Sequence, residues 1–263
     1  MDYSEKLKNF PSVNYISLYD NHERREFMEN QFKKYGMKGV VHLNHPYSKL
    51  KEYVKVIPEH SEEWIKAGQL GITISHLMMI RTWLETTDEP YAIFTEDDIS
   101  FKSLEYWNFT WDDFMSHLPK DWECVQLIRM ESPFGLECFD RMRLDLRESL
   151  SFNGRWWGAS WMMTRKYAEN IVNQHYPEPG VFNLWHYVVM PISENIIFFH
   201  RGYPVYNFPL LFENWQQLKT TNSSVSQQDE DAKSGRDLSQ QITKHLWVSM
   251  GSTLNLKEAM ELK

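Results

Sequence analysis

Cysteine is scarce, with only Cys124 and Cys138 in 263 residues. Two thiols with no histidines at metal-site spacing build neither a disulfide framework nor a zinc knot, so they read as reduced structural residues. No stretch approaches the ~20 apolar residues of a membrane span. Residues 1–10 are charged and lack the apolar segment of a signal peptide. These absences predict a soluble, unsecreted, cytoplasmic chain with no transmembrane segment. Positive charge is also short: 28 Lys and Arg against 36 Asp and Glu leave a net charge of −8. Without clustered cations to meet phosphates, a nucleic-acid partner is excluded. The Gly-x-Gly-x-x-Gly fingerprint of dinucleotide folds is missing after the first apolar run.

What is plentiful is apolar and aromatic. Hydrophobic residues make up 42% of the chain and aromatic ones 15%, with 11 tryptophans, more than packing alone asks for. Flat rings flanked by polar groups suit sugars, although a tryptophan is more often a core residue. No Gly/Pro/Ser-rich linker divides the first 210 residues. The expectation is one large α/β domain over residues 1–212, then a polar tail over 213–263 with room for a short helix.

Residues 13–17 read as the first strand, followed by a helix from about Asp20 to Tyr35 that carries Arg24 and Arg25 in its opening turn. Those two cations suit a nucleotide's phosphates or an ordinary helix surface. Residues 40–43 read as a second strand and 44–60 as loop. Residues 62–66 look like a helix entry, and the segment around Gly68, Gly71, Ser75 and His76 leads into a helix over 77–84. Ser75 and His76 offer hydrogen-bonding groups, although a lone histidine at such a place is more often a satisfied structural one.

The run Tyr91-Ala-Ile-Phe-Thr95 is a short buried-strand pattern, and it ends directly in Glu96, Asp97 and Asp98. Adjacent carboxylates raise one another's pKa, and a hard cation offsets that cost. Mg²⁺ and Mn²⁺ favour oxygen shells and share sites with diphosphates. Ligands of open α/β sheets lie beyond the strands' carboxyl ends. An acidic turn facing water is the competing reading. Downstream, residues 101–118 are amphipathic, 122–128 and 156–164 are strand-like, and 165–174 are helical. Residues 129–150 read as an insertion loop on the acceptor side, and 227–241 as a flexible polar run. Trp156 and Trp157 suit either a sugar platform or the core. Ser193 fits an N-cap, and Glu194 a first-turn acid.

Ile16-Ser-Leu with the Arg24–Arg25 helix, Gly68-Gln-Leu-Gly with Ser75-His76-Leu77, Asp88-Glu-Pro-Tyr-Ala-Ile-Phe-Thr-Glu-Asp-Asp-Ile99, and Gly158-Ala-Ser-Trp-Met-Met-Thr-Arg165 resemble glycosyltransferase family 25. The resemblance covers residues 13–211. It implies a GT-A-like, Rossmann-like mixed sheet flanked by helices, and a UDP-hexose donor carrying galactose or glucose. It further implies Mn²⁺ (or Mg²⁺), a carbohydrate acceptor and inversion at the anomeric carbon. Position by position, Glu96 and Asp98 fall on the family's metal motif with Asp97 between them, while Arg24, Arg25, Ser75 and His76 fall in donor-side blocks. Trp156 and Trp157 are candidates for the acceptor side. Two departures matter: Gln69 stands where the family has Glu, and Ser193 where it has Asp, with Glu194 one residue later as the candidate general base. Those departures keep open a catalytically inactive nucleotide-sugar or glycan-binding module. A metal phosphohydrolase is weaker, because no second acidic strand end matches.

Overall fold

The computed structural model describes residues 1–59, 65–129, 142–146, 159–184, 192–198, 203–213 and 230–262. In chain order its helices and strands are α1 Tyr3–Lys6, β1 Val13–Leu18, α2 His22–Tyr35, β2 Gly39–Asn44, α3 Tyr47–Leu50, β3 Lys55–Ile57 and α4 Ala67–Thr86. These are followed by β4 Tyr91–Glu96, β5 Ile99–Ser100, α5 Trp111–His117, β6 Cys124–Gln126, β7 Asp145–Leu146, β8 Ser160–Thr164 and α6 Arg165–His175. The chain ends with β9 Val181–Asn183, α7 Ile192–Phe198, β10 Val205–Asn207, β11 Phe212–Glu213, α8 Glu230–Met250 and α9 Leu256–Met260.

Seven strands form one mixed sheet in the order β2-β1-β4-β8-β6-β10-β7. β1 is parallel to β2 and β4, β8 runs antiparallel to β4 and β6, and β10 is parallel to β6. The carboxyl ends of β1, β4, β6 and β10 therefore share one edge. Alternate side chains feed two apolar layers, which is the period-2 consequence of strand geometry. Val13, Tyr15, Ile93, Val125, Met162 and Tyr206 face a layer built with α2, α5, α8 and α9. Ile16, Phe94, Cys124, Trp161 and Met163 face the other, built with α4, α6 and α7. Helices on both faces explain why the central strands read as near-continuous apolar runs. The mixed α/β class expected from the sequence is what the structure has, and no described helix is long and apolar enough to cross a membrane.

Several local expectations differ. Residues 44–60, read as loop, hold α3 and β3, and β3 pairs in parallel with the distant β9. Tyr47, Leu50 and Val56 are buried there. The helix read over 77–84 starts ten residues earlier in the sense that Gly68 and Gly71 lie inside α4. Burial of Leu70, Ile74 and Leu77 outweighs the roughly 1 kcal/mol that each helical glycine costs. Ser193 is not an N-cap, because α7 begins at Ile192.

The largest difference is at the end of the chain. Much of the run read as flexible, 227–241, belongs to the 21-residue helix α8. Ser239, Gln240, Thr243, Leu246 and Trp247 are buried along it at three- and four-residue spacing. Its inner face is made largely of small and amide side chains, and such a face looks like disorder by composition. Among the tryptophans, Trp83, Trp111, Trp161 and Trp247 are fully buried core residues.

Candidate functional site

From β1 the chain crosses to β2 on one side, and β4 then enters on the other side of β1. The strand order reverses between β1 and β4, and the crevice at such a switch point is where open α/β sheets bind ligands. Three segments meet there: the end of β1 with Ser17, the first turn of α2 with Arg24, and the end of β4 with Glu96, Asp97 and Asp98.

Arg24 Nη1 lies 2.9 Å from Asp97 Oδ1 and 3.2 Å from Asp98 Oδ2, with the three side chains 12%, 8% and 6% exposed. Burial pushes the Asp97 carboxyl up, and Arg24 opposes that; the neighbouring Asp98 adds to the rise, while the Ser17 hydroxyl donates to Asp97 and lowers it. Burial works against the Arg24 charge as well. Asp98, Asp97 and, behind them, Glu96 outweigh it, so the Arg24 pKa is raised. All three carboxylates thus act on one guanidinium.

The supports of this cluster are local. Gln31, two turns along α2, donates from its amide to the Ile99 carbonyl at 2.9 Å and accepts from the Phe101 N–H at 2.8 Å. That clamp fixes the chain just past Asp98, and β5 is held again by antiparallel pairing with β11. Arg25 reaches the cluster only at its edge, where Nη1 donates to the Ser17 hydroxyl at 3.5 Å. Its guanidinium donates to the carbonyls of Leu18 and Tyr19 and contacts His22, holding the β1–α2 loop in shape.

The remaining expected residues are placed elsewhere or lie outside the description. Ser75 and His76 belong to α4, packed on the opposite face of the sheet from α2. The Ser75 hydroxyl donates back to the Gly71 carbonyl at 2.7 Å. His76 is 1% exposed and packs edge-on against Trp161, with ring centroids 4.8 Å apart. Among the described residues neither of its ring nitrogens has a hydrogen-bond partner. Glu194 is buried in α7, whose Phe198 touches the same Trp161 ring. Trp156, Trp157 and most of 129–150 lie outside the described residues.

Burial holds the His76 imidazole neutral, with its pKa down to about 3. An unfolded histidine titrates near 6.5. The folded value is depressed, so this contribution to stability is intact above about pH 6.5 and is lost as the pH falls toward 3. Comparing urea unfolding at pH 7 and pH 5, the wild type should lose about 1.4 kcal/mol per pH unit more than His76→Gln between 6.5 and 5. Equal pH slopes in the two proteins would refute a buried neutral His76.

Sequence reading missed Ser17, Gln31 and Arg129. Arg129 follows β6 at the same edge of the sheet, is buried, and pairs with Asp145 at 2.8 Å. The position of Ser17 at a strand's carboxyl end was the available signal for it. Nothing local marks Gln31 or Arg129.

For a divalent cation the donor chemistry is favourable, since carboxylate oxygens suit Mg²⁺ and Mn²⁺. Among the described residues no group of three or more His, Cys, Asp or Glu side chains forms a ready shell. Asp97 Oδ1 and Asp98 Oδ2 nevertheless converge on a single cationic atom, Arg24 Nη1. The guanidinium thus already fills the cation position between these two oxygens.

No family model and no curated protein matches the chain. Among solved structures, the crystal structure of A197 from STIV is similar at 10% identity and a TM-score of 0.39, over 77% of this chain and 84% of that one.

Proposed function

We propose that the chain is a metal-dependent inverting hexosyltransferase with a GT-A-like fold, moving galactose or glucose from a UDP-sugar to a hydroxyl of a glycan or protein-linked acceptor. The observation that carries this reading is the Arg24–Asp97–Asp98 cluster at the switch point between β1 and β4. It joins two of the sequence blocks that resemble glycosyltransferase family 25, and the resemblance itself rests on those motifs.

In this mechanism Asp98, with Glu96 or Asp97, would hold Mn²⁺ or Mg²⁺. The ion, when bound, supplies positive charge to the diphosphate as negative charge grows on the leaving oxygen. Arg24 would add positive charge beside the diphosphate. Gln31 and Arg25 hold the two loops that carry these groups, so little reorganisation is needed at the moment of reaction. The acceptor oxygen attacks the anomeric carbon from the face opposite the diphosphate, the bond to the diphosphate oxygen breaks, and configuration inverts. Glu194, buried in α7, is the candidate base for the acceptor proton.

A non-catalytic binding module is the second reading, favoured by the guanidinium that already satisfies Asp97 and Asp98 and by Gln69 and Ser193. UDP release from a panel of UDP-sugars, with Mn²⁺ or EDTA and with or without mixed glycan acceptors, separates the two. The transferase releases UDP only with metal, and faster with an acceptor. Metal-dependent binding of a UDP-sugar with no release would establish the module instead.

A further inference from the structure

The seven-stranded sheet ends differently on its two sides. Its last strand, β7, is two residues long, and its Asp145 is held by Arg129 and by Arg143, each at 2.8 Å. A short, charged edge of that kind refuses a further strand. The strand at the other side, β2 Gly39–Asn44, is six residues long and contains no Asp, Glu, Lys, Arg or Pro. It keeps register with β1 from Val13 and Gly39 to Leu18 and Asn44 without a bulge. Among the described residues no strand pairs with its outer side. We infer that this edge is an interface with a second copy of the chain, the two β2 strands pairing antiparallel about a two-fold axis at Val41.

The backbone defines the occupant as a strand, and the side chains fit a second copy. The Val13 N–H donates to the Lys38 carbonyl at 2.9 Å, and the Tyr19 N–H to the Asn44 carbonyl at 2.8 Å. Backbone groups of successive strand residues point to alternate sides, so Lys38, Val40, His42 and Asn44 face β1 while Gly39, Val41 and Leu43 face outward. An axis at Val41 sets Val41 against its own copy and Gly39 against Leu43. Every outward N–H and carbonyl of the strand then has a partner, which no other register achieves within the six residues. Val13 and Tyr15, the register partners of Gly39 and Val41, face the α2 layer. Val41 and Leu43, 40% and 48% exposed, therefore lie on that face as well. Pairing covers both. Leu43 of the second copy arrives opposite Gly39, where the Phe32 ring fills the space that a β-carbon would need. A two-fold sets residues near the axis against their own kind, and an uncharged strand avoids the like-charge repulsion this brings. Each β2 is used once and the β7 edge is blunted, so assembly closes at two copies.

Dimerisation is independent of the proposed transfer chemistry, and sedimentation equilibrium over a concentration series tests it. Wild type should approach twice the 31.6 kDa chain mass. Val41→Lys sets two ammonium groups against each other at the axis, and Val41→Glu two carboxylates, so each alone should weaken the dimer by about tenfold or more. An equal mixture of the two variants should regain the dimer, because opposite charges then meet at the axis. Hydrogen exchange in the wild type gives a reading that needs no variant. The amides of Gly39, Val41 and Leu43 should exchange several-fold more slowly at high protein concentration than at low.

A wild type that stays at the single-chain mass throughout the series overturns the inference, and so does one that grows beyond two copies. A folded Val41→Lys that dimerises as well as wild type moves the interface to another face. Two monomeric variants whose mixture stays monomeric overturn the axis at Val41. If the substitutions prevent folding, hydrogen exchange decides: rates at Gly39, Val41 and Leu43 that do not depend on protein concentration leave the β2 edge open to water and end the proposal.

Discussion

Asp98→Ala should lower the proposed sugar transfer by about 10³-fold, the scale seen when a group aimed at developing charge is removed, and should leave the fold in place. The two halves of this expectation come from the same geometry. Asp98 is the second carboxylate on Arg24 Nη1, at 3.2 Å. It closes the pair of oxygens that would hold the cation, and a single carboxylate binds Mg²⁺ or Mn²⁺ poorly. Its removal does not strand a buried charge, because Arg24 keeps Asp97 at 2.9 Å. Stranding is what makes a broken buried pair cost about 3–5 kcal/mol, and Arg24→Met, which leaves two carboxylates uncompensated, is the variant that risks it. Metal-dependent UDP release and a thermal melt on the same Asp98→Ala preparation check both halves. Full activity in a folded variant would remove the metal role of Asp98. An unfolded variant would assign Asp98 to the structure.

The parts of this site that the sequence discloses are those encoded locally. A short apolar run ending in Glu96-Asp97-Asp98 announces both a buried strand and an acidic edge, because the alternation and the charges lie within a few residues. Arg24 is legible as a cation in the first turn of a helix after a strand. Their union is not legible: Arg24 and Asp97 are 73 residues apart in sequence, and sequence reading assigns the arginine to phosphates and the carboxylates to a metal as separate matters. The same limit hides β3, whose partner β9 is distant in the chain, and Gln31, whose amide matters only because Ile99 and Phe101 come to rest beside it. His76 shows the limit from the other direction. Its type suggests a ligand or a satisfied structural histidine, and the fold buries it against Trp161 with both ring nitrogens unpartnered among the described residues.

Trp247→Ala should destabilise the protein by about 3–5 kcal/mol, the usual cost of emptying a large aromatic site in a core. The residue lies in α8, within a stretch that composition assigns to a polar tail. Its side chain is 0% exposed, and its indole N–H donates to the Pro209 carbonyl at 2.9 Å. Trp107 and Phe109 approach the ring with centroid separations of 6.4 and 6.3 Å. Gly251 seals it: a β-carbon there would come within 2.8 Å of the indole. The truncation would therefore leave a cavity beside a carbonyl that has lost its donor, and both effects add to the cost. Leu238→Ala, on the exposed side of the same helix, should change stability by no more than about 0.5 kcal/mol. Urea unfolding of the two variants measures the contrast. The effect should also reach the candidate site, because α8 packs on β11, and β11 pairs with the strand that begins one residue after Asp98. In the proposed transferase, folded Trp247→Ala should then turn over more slowly than Leu238→Ala at the same temperature. A Trp247→Ala as stable as Leu238→Ala would detach α8 from the core and return residues 230–250 to the status of a tail.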